Sequence, residues 1–243
     1  MVQVFKYKSF IAICILAATV ILFPQCKKDN GTTPVIKDTV PTAKTYLPVS
    51  AGSTFSYHSI VNTDTTDYML TATTGDSVVN GRSYTKFTGS DGKTRYRTRI
   101  DSNYYQVSSF SSLPGFPVFE DNYLKANAAV NTTWTSILKI TNVLGLPPEY
   151  VGIATYKLIA KANSVTVNGT LYTNVIHVRL ADVSAYNDST LTPPAQLAAV
   201  ATGDFYYSLG VGLIQSSLDV PDNTPYGISE FHSLEKITAY HIQ

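Results

Sequence analysis

Residues 67–87, DYMLTATTGDSVVNGRSYTKF, and residues 155–175, TYKLIAKANSVTVNGTLYTNV, align without a gap at an offset of 88. Eight of the 21 positions are identical, where chance supplies about one or two, so one unit occurs twice. The shared residues are Tyr68/Tyr156, Leu70/Leu158, Ala72/Ala160, Val79/Val167, Asn80/Asn168, Gly81/Gly169, Tyr84/Tyr172 and Thr85/Thr173. Tyr, Leu and Ala recur at every second position, which is the period of one face of a strand. Asn-Gly is the dipeptide best suited to a two-residue type I′ turn, because both central positions need positive φ. Each copy therefore reads as a β-hairpin.

The flanks extend the pattern. Gly52-Ser53-Thr54-Phe55-Ser56-Tyr57 opens the first copy much as Asn131-Thr132-Thr133-Trp134-Thr135 opens the second. Tyr96-Arg97-Thr98 and Tyr104-Tyr105 follow the first copy as Phe205-Tyr206-Tyr207 and Leu213-Ile214 follow the second. Consecutive hairpins without βαβ spacing make an antiparallel sheet, and about ten or more strands must curl or split into two layers. The expected fold is mainly β, a curved antiparallel sheet or open half-barrel built from two tandem repeats, with a β-sandwich as the alternative. Only 14% of residues are charged, against about 25% in an average soluble domain. Thr, Ser and 17 Tyr take the surface role instead, which favours pleated strands. One short helix is expected in TPPAQLAAVATG, within an insertion of the second copy over 181–203, with Thr192 as N-cap, Pro193 at the first helical position and Gly203 just past the end. Stretches 108–130 and 141–154 carry Pro114, Pro117, Pro147 and Pro148 and read as irregular lids or covers.

The N-terminus reads as an address. Lys6 and Lys8 precede an apolar run from Phe10 to Phe23 that is broken only by Thr19 and ends at Pro24-Gln25-Cys26. That run suits a secretory signal and falls short of the roughly 20 residues of a spanning helix. The layout expected is a signal peptide over 1–25, a lipidated N-terminus at Cys26 with a flexible tether over 26–48, and one β domain over 49–243. Within it, repeat 1 spans about 49–107, a connection 108–130 and repeat 2 131–243. Cys14 would leave with the signal, so no disulfide can form within the mature chain. An uncleaved or differently processed anchor is the alternative. The apolar core running into Cys26-Lys27-Lys28-Asp29 resembles the N-termini of Bacteroidota-type envelope lipoproteins, and the tandem VNGxxY layout is similar to uncharacterised members of that group. The resemblance implies a lipid-anchored outer-membrane protein on the periplasmic or cell-surface face, with its lipid as the membrane contact. Asp38-Thr39-Val40 resembles O-glycosylation sites of such proteins; an ordinary polar spacer is the plain reading.

Chemistry-bearing patterns are sparse. Eighteen basic against 17 acidic residues leave no field that would recruit nucleic acid. Arg95, Arg97 and Arg99 alternate in KTRYRTRI, so in a strand they share one face. On a concave face they could hold phosphate, sulfate or carboxylate groups; on an outer face they would pair with Asp64, Asp67, Asp76 or Asp101. Tyr104-Tyr105 and Tyr206-Tyr207 put one ring on each face, with one member of each pair in the core and the other, Tyr105 or Tyr206, free to line a ligand surface. His58, His177, His232 and His241 show no metal-ligand spacing, although His232 with Glu230 or Glu235 could assemble a site in space. Gly227-Ile228-Ser229-Glu230-Phe231 lacks the last Gly of a nucleophile elbow, and the adjacent Glu120-Asp121 would point to opposite faces. No cofactor and no catalytic role are expected. The reading is a lipid-anchored noncatalytic envelope protein that binds an apolar or amphipathic ligand or a protein partner. A surface structural or adhesive module and a hydrolase acting on envelope or dietary polymer are the alternatives.

Overall fold

The computed structural model describes residues 45–79, 81–108, 119–140, 150–187, 201–222 and 230–243. Twelve strands are present among them: β1 Thr54–Val61, β2 Asp64–Val79, β3 Arg82–Gly89, β4 Thr94–Ile100, β5 Asn103–Ser108, β6 Phe119–Lys125, β7 Thr133–Ile140, β8 Tyr150–Val167, β9 Thr170–Asn187, β10 Thr202–Ser208, β11 Gly212–Val220 and β12 Phe231–His241. They form one antiparallel sheet in the order β6-β5-β4-β3-β2-β1-β12-β11-β10-β9-β8-β7. The sheet curls until its two outer strands, β6 and β7, come together, so the expected open half-barrel is nearly closed. Register shifts in five of the strand pairs, for example between Ser56 and Tyr57 or Tyr206 and Tyr207, supply the local bends that curvature of this kind needs.

Alternation decides which face is inside. In β1 and β2 the inward set is Phe55, Tyr57, Ser59, Tyr68, Leu70 and Ala72, paired across the ladder as Phe55 with Leu70 and Tyr57 with Tyr68. The Tyr57 and Tyr68 rings stack 5.4 Å apart. In the second half Tyr156, Leu158, Val178 and Leu180 are buried in the same way. Each such side chain contributes about 1.5–3 kcal/mol on burial, so apolar stripes on most of the strands suffice to hold the sheet curled around its interior.

The two hairpins stand where the Asn-Gly dipeptides place them. β2 ends at Val79 and β3 begins at Arg82, while β8 ends at Val167 and β9 begins at Thr170, the same offset of 88. Gly81 has φ 76°, and Asn168 and Gly169 have 49° and 80°, as a type I′ turn requires; Asn80 lies outside the described residues.

The junctions between the six-strand halves differ. β1 joins β12 through a continuous ladder from Thr54–His241 to Val61–Ser233. At the β6–β7 seam, side chains of the second half take the place of a ladder around Asn122. The Asn122 N–H donates to the Ser136 hydroxyl (3.0 Å), and the Trp134 indole N–H donates to the Asn122 carbonyl (2.8 Å). An open edge presents unpaired backbone groups to any passing strand; here Trp134 and Ser136 occupy them.

Three sequence expectations need correction. Residues 119–125, assigned to an irregular connection, form β6; two features hid it, the inward carboxylate of Asp121 and the consecutive buried residues Tyr123 and Leu124 next to a register shift. Residues 181–187 and 202–203, assigned to an insertion ending in a helix, belong to β9 and β10. Gly203 therefore does not stop a helix. It lies where an added Cβ would come 2.5 Å from the Ser217 carbonyl of β11. The helical segment itself, from Thr192 to 200, lies outside the described residues, which contain no helix. Finally, Thr45 to Pro48, counted with the tether, are docked on the barrel. The Tyr46 N–H donates to the Tyr104 hydroxyl (3.1 Å), the Gly210 N–H donates to the Thr45 carbonyl (2.7 Å), and Leu47 is buried. This strap crosses one mouth of the barrel because Leu47 and Pro48 are buried there and Thr45 and Tyr46 find backbone or hydroxyl partners.

Candidate functional site

Behind the strap the interior retains a cavity of about 70 Å³, lined by Leu47, Tyr57, Arg97, Gln106, Tyr123 and Tyr207 among others. That is room for about two or three water molecules, and far below the roughly 300 Å³ at which drug-sized or lipid-like ligands are held.

One cross-strand row builds its polar wall. Arg97 of β4 faces Gln106 of β5, and Gln106 faces Asp121 of β6. The Gln106 amide donates to Asp121 Oδ2 (3.2 Å), and the Tyr156 hydroxyl donates to the same oxygen (2.8 Å) from across the seam. Burial pushes the Asp121 carboxyl above its ordinary value, and the hydrogen bonds from Tyr156, Ser136 and Gln106 offset this only in part. Asp121 Oδ1 is buried without a partner among the described residues. A carboxyl whose pKa rises on folding stabilises the fold in its protonated form, and that contribution fades as pH climbs past the unfolded value of about 3.9 and through the folded one. Asp121→Asn removes the titration. The variant is expected to gain stability relative to the parent as pH rises from about 4 to 8, in denaturant unfolding measured at each pH. A pH-independent difference would show that Asp121 carries no burial penalty.

Of the three alternating arginines, Arg95 and Arg97 are half-buried and only Arg97 lines the cavity. Burial opposes its charge, and the surrounding Tyr123, Tyr57, Tyr68 and Tyr207 more than offset that, holding its pKa above the ordinary arginine value. Its guanidinium lies 5.7 Å from the Phe87 ring and makes no hydrogen bond or ion pair among the described residues. Its two neighbours share the inward face and differ in what they hold. Arg95 sits over the Tyr68 ring (4.8 Å) and pairs with Asp91 (2.9 Å), which holds that carboxyl low against its burial. Arg99 is exposed beyond the strap and donates to the Asp101 carbonyl (2.6 Å). The anticipated partners Asp64, Asp67 and Asp76 are not used by this stripe; Asp67 binds His58 and Asp76 accepts from Ser83.

The tyrosine pairs split between the faces as the alternation predicts, with Tyr104 and Tyr207 buried inside. Tyr105 and Tyr206, the candidate ligand surface, lie outside and apart. Arg82 covers the Tyr105 ring at 4.2 Å and pairs with Glu120, while Tyr206 stacks on His177 at 4.3 Å. His177 and Arg179 both bind Asp204 there, at 2.6 and 3.0 Å, and these bonds outweigh burial to keep its carboxyl below the ordinary range. His232 is held between Asp219 and Glu230, which raise its pKa, and Glu235 instead accepts from the Tyr68 hydroxyl. Among the described residues no group of three or more His, Cys, Asp or Glu could hold a metal ion. Of the five candidate binding residues, then, the cavity takes in only Arg97. Cys26 lies outside the described residues. Tyr123, Tyr207, Gln106 and Asp121 were missed as site residues, because their convergence depends on which strands become neighbours when the sheet curls.

Among the described residues, twelve antiparallel strands around a tyrosine-rich interior define an all-β, barrel-like protein. No family profile matches the sequence, and no curated protein matches it. Two solved structures do. One is described as a candidate lipoprotein from Parabacteroides distasonis, with a TM-score of 0.49 and 11% identity, covering 82% of this chain and 99% of the other. The second is described as a candidate exported protein with a YmcC-like fold from Bacteroides fragilis, with a TM-score of 0.38 and 11% identity, covering 80% and 97%. Likeness at this level transfers neither an activity nor a ligand to this chain.

Proposed function

We propose that the chain is a lipid-anchored, noncatalytic protein of the cell envelope whose working part is the barrel interior, entered at the strapped mouth. The observation that carries this reading is the strap. The signal-like run, Cys26 and the polar spacer lead directly into Thr45-Tyr46-Leu47-Pro48, which covers the cavity, so membrane attachment and pocket are consecutive along the chain. The size of the cavity favours a small ligand over the lipid-like one expected from sequence, and Arg97 and Gln106 offer it polar contacts. A noncatalytic role is supported by the inward carboxylates, since Asp121 and Glu235 are each engaged by a tyrosine, Tyr156 and Tyr68, and stand on separate strands. An outer-membrane position, on either face, rests on the Cys26-Lys27-Lys28-Asp29 resemblance.

A protein-binding or adhesive surface is the second reading. Val78 and Leu171 are exposed at 74% and 64% beside the two Asn-Gly turns, placing apolar side chains at both hairpin tips.

The anchor is tested by Cys26→Ser. Lipid attachment at this residue predicts that the parent partitions into the membrane fraction and that the variant is released from it or retained as an unprocessed precursor. Identical processing and partition of the two proteins would exclude lipidation at Cys26.

A further inference from the structure

We propose that the cavity behind the strap binds a small oxyanion, either inorganic or the carboxylate of a small organic acid, through the Arg97 guanidinium and the Tyr123 and Tyr207 hydroxyls. The proposal deepens the reading of the barrel interior as a binding site and rests on it.

The five arginines of the chain make the case by contrast. Arg82 pairs with Glu120, Arg95 with Asp91, Arg179 with Asp204, and Arg99 bonds the Asp101 carbonyl. Arg97, enclosed by the barrel, has no anionic partner among the described residues. An unpaired guanidinium cannot shed its proton to escape the interior, and withdrawing it from water is expensive unless an opposite charge comes with it. A cation–π contact at 5.7 Å recovers only a part of that. Asp121 does not neutralise it, because two strand spacings, about 9–10 Å, separate their positions and its bonded oxygen is committed to Tyr156 and Gln106.

The rest of the wall is suited to the same ligand. Tyr123 and Tyr207 line the cavity with their rings 5.5 Å apart, and neither hydroxyl makes a hydrogen bond among the described residues. A planar fork of donors flanked by two phenolic O–H groups matches a carboxylate or tetrahedral oxyanion, which accepts at several oxygens and offers no donor when fully ionised. The apolar remainder, Leu47, Phe55 and Val211, lowers the local dielectric and strengthens each of these bonds. A cavity of about 70 Å³ is on the scale of acetate, phosphate or sulfate and is too small for a lipid or an oligosaccharide. Arg99 lines a wider and more open depression of about 540 Å³ that shares Tyr46 of the strap with the cavity, beside Tyr104 and Asn127.

The test uses the full mature chain in detergent, exchanged into chloride buffer. Thermal unfolding is followed while sodium acetate, phosphate or sulfate replaces chloride at constant ionic strength, with acetamide as a neutral match for acetate. At least one oxyanion is expected to raise the midpoint saturably, with acetamide inactive. Arg97→Gln is expected to weaken the response about a hundredfold, and the Tyr123→Phe/Tyr207→Phe double variant about tenfold or more. Arg97→Met serves as a volume-filling control should Arg97→Gln fail to fold. A parent response that these variants leave unchanged would overturn the site. An Arg97-independent response to acetamide alone would overturn the anion class while sparing the interior as a binding site. Silence toward every probe would refute both.

Discussion

Trp134→Ala is expected to lower stability by about 3–5 kcal/mol, the usual range for truncating a buried tryptophan. For a chain of this size that corresponds to roughly 10 °C in Tm. Burial alone accounts for much of it, since Trp134 is almost fully enclosed and stacks on Tyr156 at 5.7 Å. The seam adds a specific term. The Trp134 indole holds the Asn122 carbonyl, and Lys125 lies 6.0 Å over its ring, so its loss unpairs one edge and leaves a buried acceptor unsatisfied. Trp134→Phe separates the two effects, because it retains the ring stack and removes only the N–H. It should cost about 1–3 kcal/mol and accelerate hydrogen exchange at the Asn122 amide, which is held by the neighbouring Ser136. If Trp134→Ala costs less than about 1 kcal/mol, or if Asn122 exchange is unchanged in both variants, the seam is not held by these side chains. The β1–β12 junction provides the internal control, since its ladder contains no Trp134 contact and its protection should persist.

The hairpins were legible because their determinants are local. Asn168-Gly169 fixes its own turn, and Tyr68, Leu70 and Ala72, like Tyr156 and Leu158, select one face without reference to anything distant. β6 was not legible, because its inward face carries Asp121, a residue that only becomes acceptable inside once Tyr156 and Gln106 are brought against it. The strap was hidden for a related reason. Thr45 to Pro48 follow a Thr- and Pro-rich spacer without a break in composition, and their docking depends on Tyr104 and Gly210, 58 or more residues away.

The arginine stripe shows the same division. Spacing alone placed Arg95, Arg97 and Arg99 on one face, and the structure puts that face inside. Which arginine would remain unpaired could not be read from spacing, because Asp91 reaches Arg95 through the turn between β3 and β4. Tyr105 and Tyr206 were chosen as the members of each pair left over from the core. In a barrel whose pocket lies inside, the core members become the pocket wall, and Tyr207 lines the cavity for the reason that excluded it from the sequence-based set.

Leu47→Ala is expected to cost about 2–3 kcal/mol, the lower part of the range for buried leucine, because a terminal strap relaxes more readily than a central strand. The loss should be local in a way that the Trp134 variant is not. Leu47 is the apolar anchor of a segment otherwise held by two backbone amides and by the Tyr46 ring, edge-on to Tyr104 at 6.2 Å. Gly212, at φ 100°, lies under the strap, where an added Cβ would sit in ordinary contact with Tyr46 and Pro48, so it is the backbone conformation rather than the strap that asks for glycine. Weakening the anchor should therefore raise exchange at the Tyr46 and Gly210 amides by about the factor that 2–3 kcal/mol implies, roughly thirty- to a hundred-and-fifty-fold. Amides of the β8–β9 hairpin should change only through global stability. The strap covers the mouth of the cavity, so the same variant should admit and release a small anion faster, while Arg97 and both tyrosine hydroxyls remain to hold it. Faster entry and exit with nearly unchanged contacts would identify the strap as the gate between the membrane tether and the pocket. Unchanged kinetics with the predicted stability loss would reduce it to a structural clasp.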